Sequence, residues 1–150
     1  LYGDDHVEFL ISMNKGEDPK PLAKTASGGE LSRLMLGLKI IFTHLQGIST
    51  VIFDEIDTGV SGPVASSIGK KMKLLSKSTQ VFSVTHLAQV ASCADQNYFV
   101  SKTDIDGVTH SSVKRLNKKE TIEQLALIAS GEVTKASLKA ASELYQRNQQ

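Results

Sequence analysis

Thr50-Val51-Ile52-Phe53-Asp54-Glu55 is the stretch that decides the fold. A short, continuous apolar run that ends in two carboxylates suits a strand buried on both faces of a parallel sheet. The carboxyl ends of such strands are where open α/β sheets place their ligands. Neighbouring strand positions point to opposite sides, so Asp54 and Glu55 can serve different partners. In the functional reading Asp54 holds Mg²⁺, largely through waters, while Glu55 activates a water. The plain alternative is that two acidic residues open a solvated loop, because strand ends are commonly polar.

Downstream of this stretch, Thr58 to Pro63 form a Gly/Ser/Pro break. Val64, Ile68, Met72 and Leu75 then recur at helical spacing, with Pro63 suited to the first helical position. Val81-Phe82-Ser83-Val84 reads as the next strand and runs straight into Thr85-His86. Strand, helix and strand make a βαβ unit with an expected right-handed crossover. His86 should therefore emerge at the same sheet edge as Asp54 and Glu55. That neighbourhood raises it above the structural role a lone histidine usually has. His6, His44 and His110 lack it, and Cys93 is most simply a small buried hydrophobe. Tyr98 to Lys102 and Val108 to Leu116 flank Asp104-Ile105-Asp106-Gly107, an Asp-Gly hairpin signal. Helices are expected near Thr121 to Ser130 and Thr134 to Arg147, with Gly131 between them.

Upstream, Val7, Phe9, Ile11 and Met13 alternate with polar residues as in a half-buried strand, and Gly16 to Pro21 form a turn-rich connection. From Ser27 the period changes. Leu31, Leu34, Met35, Leu38, Ile41, Phe42 and Leu45 fall on one helical face, and Gly47 lies just beyond its end. Ser27-Gly28-Gly29-Glu30 at the start of this helix can be a capping box with no further role. Capping leaves the glycines unexplained, since each costs a helix about 0.8–1 kcal/mol relative to Ala. Glycines allow an anion to approach the N–H groups of a helix N-terminus closely, and a phosphate contact would account for both.

Composition limits the remaining classes. The chain has 150 residues, 17 Lys and Arg against 16 Asp and Glu, and 40% hydrophobic residues. That supports one packed core and argues against a disordered, collagen-like or coiled-coil chain. Net charge near zero excludes a uniformly basic nucleic-acid binder. One cysteine excludes an internal disulfide or a multi-cysteine zinc site. Apolar runs are too short to span a bilayer, nothing reads as a signal peptide, and no membrane partner is expected. The first residue is Leu1, and a strand pattern is under way by Val7, so a segment of a longer protein is expected. No linker or repeat divides it, which gives one α/β unit over residues 1–150.

Three motifs in order carry a resemblance. Ala26-Ser27-Gly28-Gly29-Glu30-Leu31-Ser32-Arg33 resembles the signature motif of ABC-type ATPases in the form used by SMC-like DNA-repair proteins. Thr50 to Glu55 resembles their Walker B strand, and Ile56 to Gly62 the D-loop after it. Val84-Thr85-His86-Leu87-Ala88-Gln89-Val90-Ala91 resembles their switch-histidine segment. Separations of 27 residues from Ser27 to Asp54, and 32 from Asp54 to His86, also suit that family. The wording SGGELSR, DEIDTGVSG and THLAQVA is most similar to the RecN type of bacterial DNA double-strand-break repair ATPase.

The resemblance implies an ABC-ATPase-like α/β head lobe of the P-loop NTPase class. It would have a mostly parallel sheet flanked by helices, followed by a hairpin and C-terminal helices. It implies ATP and Mg²⁺ as cofactors, with Asp54 on the metal, Glu55 on the attacking water and His86 at the γ-phosphate. Ser27, Gly28, Gly29 and Glu30 would face ATP bound to the opposing head of a homodimer, with Asp57 at the dimer seam. One departure matters: no G-x-x-x-x-G-K-[ST] phosphate loop occurs, and Gly69-Lys70-Lys71 has the wrong neighbours. The chain is thus expected to be the C-terminal half of a split head, partnered by an N-terminal half that holds the phosphate loop. DNA would be a partner of the whole protein, in the bacterial cytoplasm at the nucleoid. Lys70, Lys73 and Lys77 share a helical face that could meet DNA, although a solvated face is the simpler reading. Rival assignments are another SMC-like or RecF-like DNA ATPase, a transporter ATPase subunit, or a non-enzymatic interaction module with the same fold.

Overall fold

The computed structural model describes residues 3–12, 15–25, 28–54 and 56–149. Along the chain run β1 (Leu10–Ile11), β2 (Lys20–Pro21), α1 (Leu22–Thr25), α2 (Gly28–Gln46), β3 (Thr50–Asp54) and α3 (Gly62–Leu75). They are followed by β4 (Gln80–Val84), α4 (Ala88–Ala91), β5 (Tyr98–Ile105), β6 (Val108–Arg115), α5 (Lys118–Ser130) and α6 (Lys135–Asn148). Strands β3 and β4 pair in parallel, from Thr50 opposite Gln80 to Asp54 opposite Val84, with α3 as the crossover. Pro63 lies in the first turn of α3, where its missing N–H leaves no helical hydrogen bond unmade.

The inner side of this pair builds the first core. Phe53 and Val51 pack with Val81, Ala65, Ile68, Met72 and Leu75, and Leu36 of α2 closes over them. Lys39 adds its ammonium 5.8 Å from the centroid of the Phe53 ring. Gly69 of α3 permits close packing against α4: a Cβ there would sit 2.7 Å from Cys93 Sγ and 3.2 Å from the Gln89 carbonyl oxygen. The glycine that could suggest a phosphate loop is therefore a helix contact. Cys93, just past α4, is buried as expected, and burial raises its thiol pKa.

A second core joins Ala88 of α4 to Leu125 and Ala126 of α5 and Ala141 of α6. Both of its long helices are capped by their own sequence. Asn117 and Glu120 form a capping box, and so do Thr134 and Ser137. Hydrogen bonds from Lys114 and from the Asn117 backbone hold the Glu120 carboxyl below its ordinary range. Gly131 ends α5 at φ +78°, a left-handed geometry that glycine adopts without strain. Gln149 ties the end of α6 back to the carbonyls of Ser92 and Ala94 at 3.0 and 2.8 Å.

Three expectations differ from what is observed. Parallel pairing among the described residues is confined to β3–β4, and the other two sheets are antiparallel pairs. The run Thr50–Phe53 is not covered on both faces: Ile52, Phe82 and Val84 on the outer side are 65%, 47% and 59% exposed. Among the described residues these side chains remain uncovered. The strand expected from Val7 to Met13 is reduced to Leu10–Ile11, with Val7 and Phe9 exposed and Met13 outside the described residues. An isolated two-stranded ribbon is marginal. The β5–β6 hairpin turns at Asp106–Gly107 as the sequence predicts, with the first strand running three residues further, to Ile105, and the second ending at Arg115, one residue earlier than expected.

Candidate functional site

Strands β3 and β4 end level, at Asp54 opposite Val84, so the residues just beyond both strands share one sheet edge. Asp54 is exposed there, on the same side of β3 as Ile52. Asp57, three residues on, turns back into the protein. The Val60 N–H donates to its carbonyl at 3.2 Å, and its side chain is wholly buried. Thr85, the first residue beyond β4, donates its hydroxyl hydrogen to Asp57 Oδ2. The same hydroxyl oxygen accepts from the Leu87 N–H at 3.1 Å, which fixes the chain on both sides of His86. His86 Nδ1 stands 3.6 Å from Asp57 Oδ1, while the His86 side chain remains 65% exposed.

The electrostatics of this cluster are uneven. Asp57 Oδ2 is satisfied, whereas buried Oδ1 has no hydrogen-bond donor among the described residues. Leaving a buried polar atom unpaired costs about 1–3 kcal/mol, and such atoms in native structures call for an explanation. The imidazole is the polar group facing it.

Asp54 supplies one accessible carboxylate. No group of three or more His, Cys, Asp or Glu side chains among the described residues could cage a metal. That donor set does not fit Zn²⁺ or Ca²⁺ in a protein cage. It fits Mg²⁺ held by one carboxylate, waters and substrate phosphates.

The other sequence-predicted residues are placed as follows. Ser27 and Glu55 lie outside the described residues. Gly28, Gly29 and Glu30 form the start of α2, where the first backbone N–H groups lack intrahelical acceptors. The structure brings Asp54, Asp57 and His86 to one edge; within this chain Asp57 is buried against Thr85 and His86. Lys73 is paired with Asp95, while Lys70, Lys71 and Lys77 are exposed. A polar hollow of about 410 Å³, lined in part by Asp95, Gln96, Arg115 and Tyr145, contains none of the predicted residues.

Thr85 is the residue that sequence reasoning left without a role. Its signal was present: two parallel strands that end in register place the next residues of both segments side by side. No helix among the described residues is long and apolar enough to cross a membrane.

No protein-family model matches the chain. It is 48% identical over 143 residues to the DNA repair protein RecN of Halalkalibacterium halodurans, covering 95% of this chain and 25% of that protein. RecN of Bacillus subtilis is 47% identical over 149 residues, covering 99% of this chain and 26% of the relative. RecN of Vibrio cholerae is 43% identical over 143 residues, with coverages of 95% and 26%. The chain thus spans about a quarter of the length of the curated relatives it matches.

Among solved structures, one from work on ATP-driven dimerization and DNA-stimulated activation of SMC ATPases superposes with a TM-score of 0.60. It is 23% identical, and the match covers 79% of this chain and 70% of that one. The Smc head domain from Pyrococcus yayanosii gives a TM-score of 0.60 at 24% identity, covering 73% and 20%. The chain is RecN-like in sequence, and its mixed α/β fold matches the SMC ATPase head.

Proposed function

We propose that this chain is the C-terminal lobe of a split ATPase head in a bacterial DNA repair protein, acting in the cytoplasm. The single observation that carries this reading is the level ending of β3 and β4, which gathers Asp54, Asp57 and His86 at one sheet edge. A capping or folding role requires no such gathering. A second half of the head, bearing the phosphate loop, packs on the open side of β3–β4 and on α2. Its cover would bury Ile52, Phe82 and Val84, whose exposure is otherwise costly.

In this mechanism Asp54 would hold Mg²⁺ through its carboxylate. The metal, when bound, neutralises charge on the phosphates of ATP. Glu55 accepts a proton from the attacking water, and His86 contacts the terminal phosphate from its exposed side. Gly28 and Gly29 offer the open N-terminus of α2 to ATP on an opposing head, so that nucleotide joins two copies. Ser27 and Glu30 are assigned to the same contact. Phosphoryl transfer depends chiefly on positioning and charge neutralisation, which suits parts contributed by separate lobes. Closing and reopening of the heads would change how the whole protein holds DNA.

Glu55→Gln in the full-length protein tests this reading. Loss of a general base lowers the hydrolysis rate by about 10²–10⁴-fold, while ATP binding persists because Asp54 is retained. The variant should accumulate as an ATP-bound dimer. Near wild-type turnover would remove Glu55 from its role.

A further inference from the structure

We propose that Asp57 is the positioning residue of His86, its buried carboxylate holding the imidazole with Nδ1 inward and Nε2 outward toward the terminal phosphate. This rests on the ATPase reading above and adds a residue to it. Three observations converge. Asp57 is wholly buried yet, among the described residues, has only one of its two carboxylate oxygens bonded, to the Thr85 hydroxyl. The unbonded Oδ1 faces His86 Nδ1 at 3.6 Å, which a small rotation of the ring brings into hydrogen-bond range. The backbone that carries the ring is itself fixed, because Thr85 both donates to Asp57 and accepts from the Leu87 N–H.

A carboxylate that only stapled the loop after β3 to the end of β4 would need Oδ2 alone. Oδ1 is the surplus, and it lies 3.6 Å from the His86 ring nitrogen. A carboxylate can only accept, so in the neutral imidazole it selects the form protonated at Nδ1. Nε2 is then left on the exposed side of the ring, where it donates to a phosphate oxygen when the ring carries a hydrogen on both nitrogens. A histidine on an open edge would otherwise sample several rotamers, and fixing one of them is what a group that must meet a phosphate requires.

Nuclear magnetic resonance of the full-length protein, with isotope-labelled histidine, reads this directly. The His86 signals are those lost in His86→Gln, and nitrogen–proton correlations show which nitrogen carries the hydrogen when the ring is neutral. The expected result is Nδ1–H in the wild type and a shift toward Nε2–H in Asp57→Asn. Hydrolysis by Asp57→Asn should fall on the order of 10- to 100-fold in kcat with KM for ATP nearly unchanged, by analogy with lost outer partners of metal-bound imidazoles. Nε2–H in the wild type would overturn the proposal, whether or not the variant folds. An unchanged kcat in a folded Asp57→Asn variant would do the same. Failure of the wild type to hydrolyse ATP would instead defeat the ATPase reading, and the wild-type tautomer would still decide whether Asp57 orients His86.

Discussion

Helix α2 and the α5–α6 pair use similar residues to opposite ends. In α5–α6 the apolar positions Leu125, Ala126 and Ala141 are buried against Ala88, and both helices carry their own caps. In α2 the stripe Leu31, Met35, Ile41, Phe42 and Leu45 is exposed; the helix reaches the core of this chain through a different side, with Leu36 and Ile40. The outer side of β3–β4 is open in the same way. One region completes its packing among the described residues, and the other leaves apolar faces exposed. The open region starts at Gly28 and Gly29 and includes the strand that ends in Asp54, so the parts assigned to ATP belong to it.

Substitutions can break or sharpen this contrast. Leu125→Ala should give the largest change, a loss of about 2–5 kcal/mol, because a fully buried leucine leaves a cavity in a finished core. Denaturant unfolding of the chain measures it; a loss no greater than that of a surface substitution would show that α5–α6 is not self-contained. Gly131→Ala comes next. A side chain in the left-handed conformation costs about 1–2 kcal/mol, and the same unfolding curves should show it. Leu45→Ala should be smallest, within about 0.5 kcal/mol in the chain alone, since Leu45 is 76% exposed. In the full-length protein the same change should cost more, toward the roughly 1.5–3 kcal/mol of a buried leucine, when read by hydrogen exchange in α2. Equal effects in the two settings would mean that nothing covers this face.

What was legible in the sequence follows the same division. The βαβ unit, the Asp-Gly hairpin and the two C-terminal helices could be read because their signals are local: a period, a turn dipeptide, a cap. The stripe on α2 was read as one helical face and Val51–Phe53 as a strand buried on both sides, and in this chain the stripe and one side of the strand are exposed. Periodicity states that a face must be covered but not what covers it, so cover on both sides of β3 was expected and one side stands open. At the candidate site, the common edge of Asp54 and His86 followed from strand order alone. The inward turn of Asp57 and the bond from Thr85 did not, because they depend on the path of the chain after each strand. Asp57 and Thr85 are 28 residues apart, beyond the reach of any local pattern.

The central claim is that this chain carries one half of an ATP site that another half completes. The most direct measurement is a titration of labelled ATP with Mg²⁺ into the chain alone, shown to be folded by circular dichroism, alongside the full-length protein. The account predicts saturable binding by the full-length protein and none at micromolar concentrations by the chain. Micromolar binding by the chain alone would contradict it.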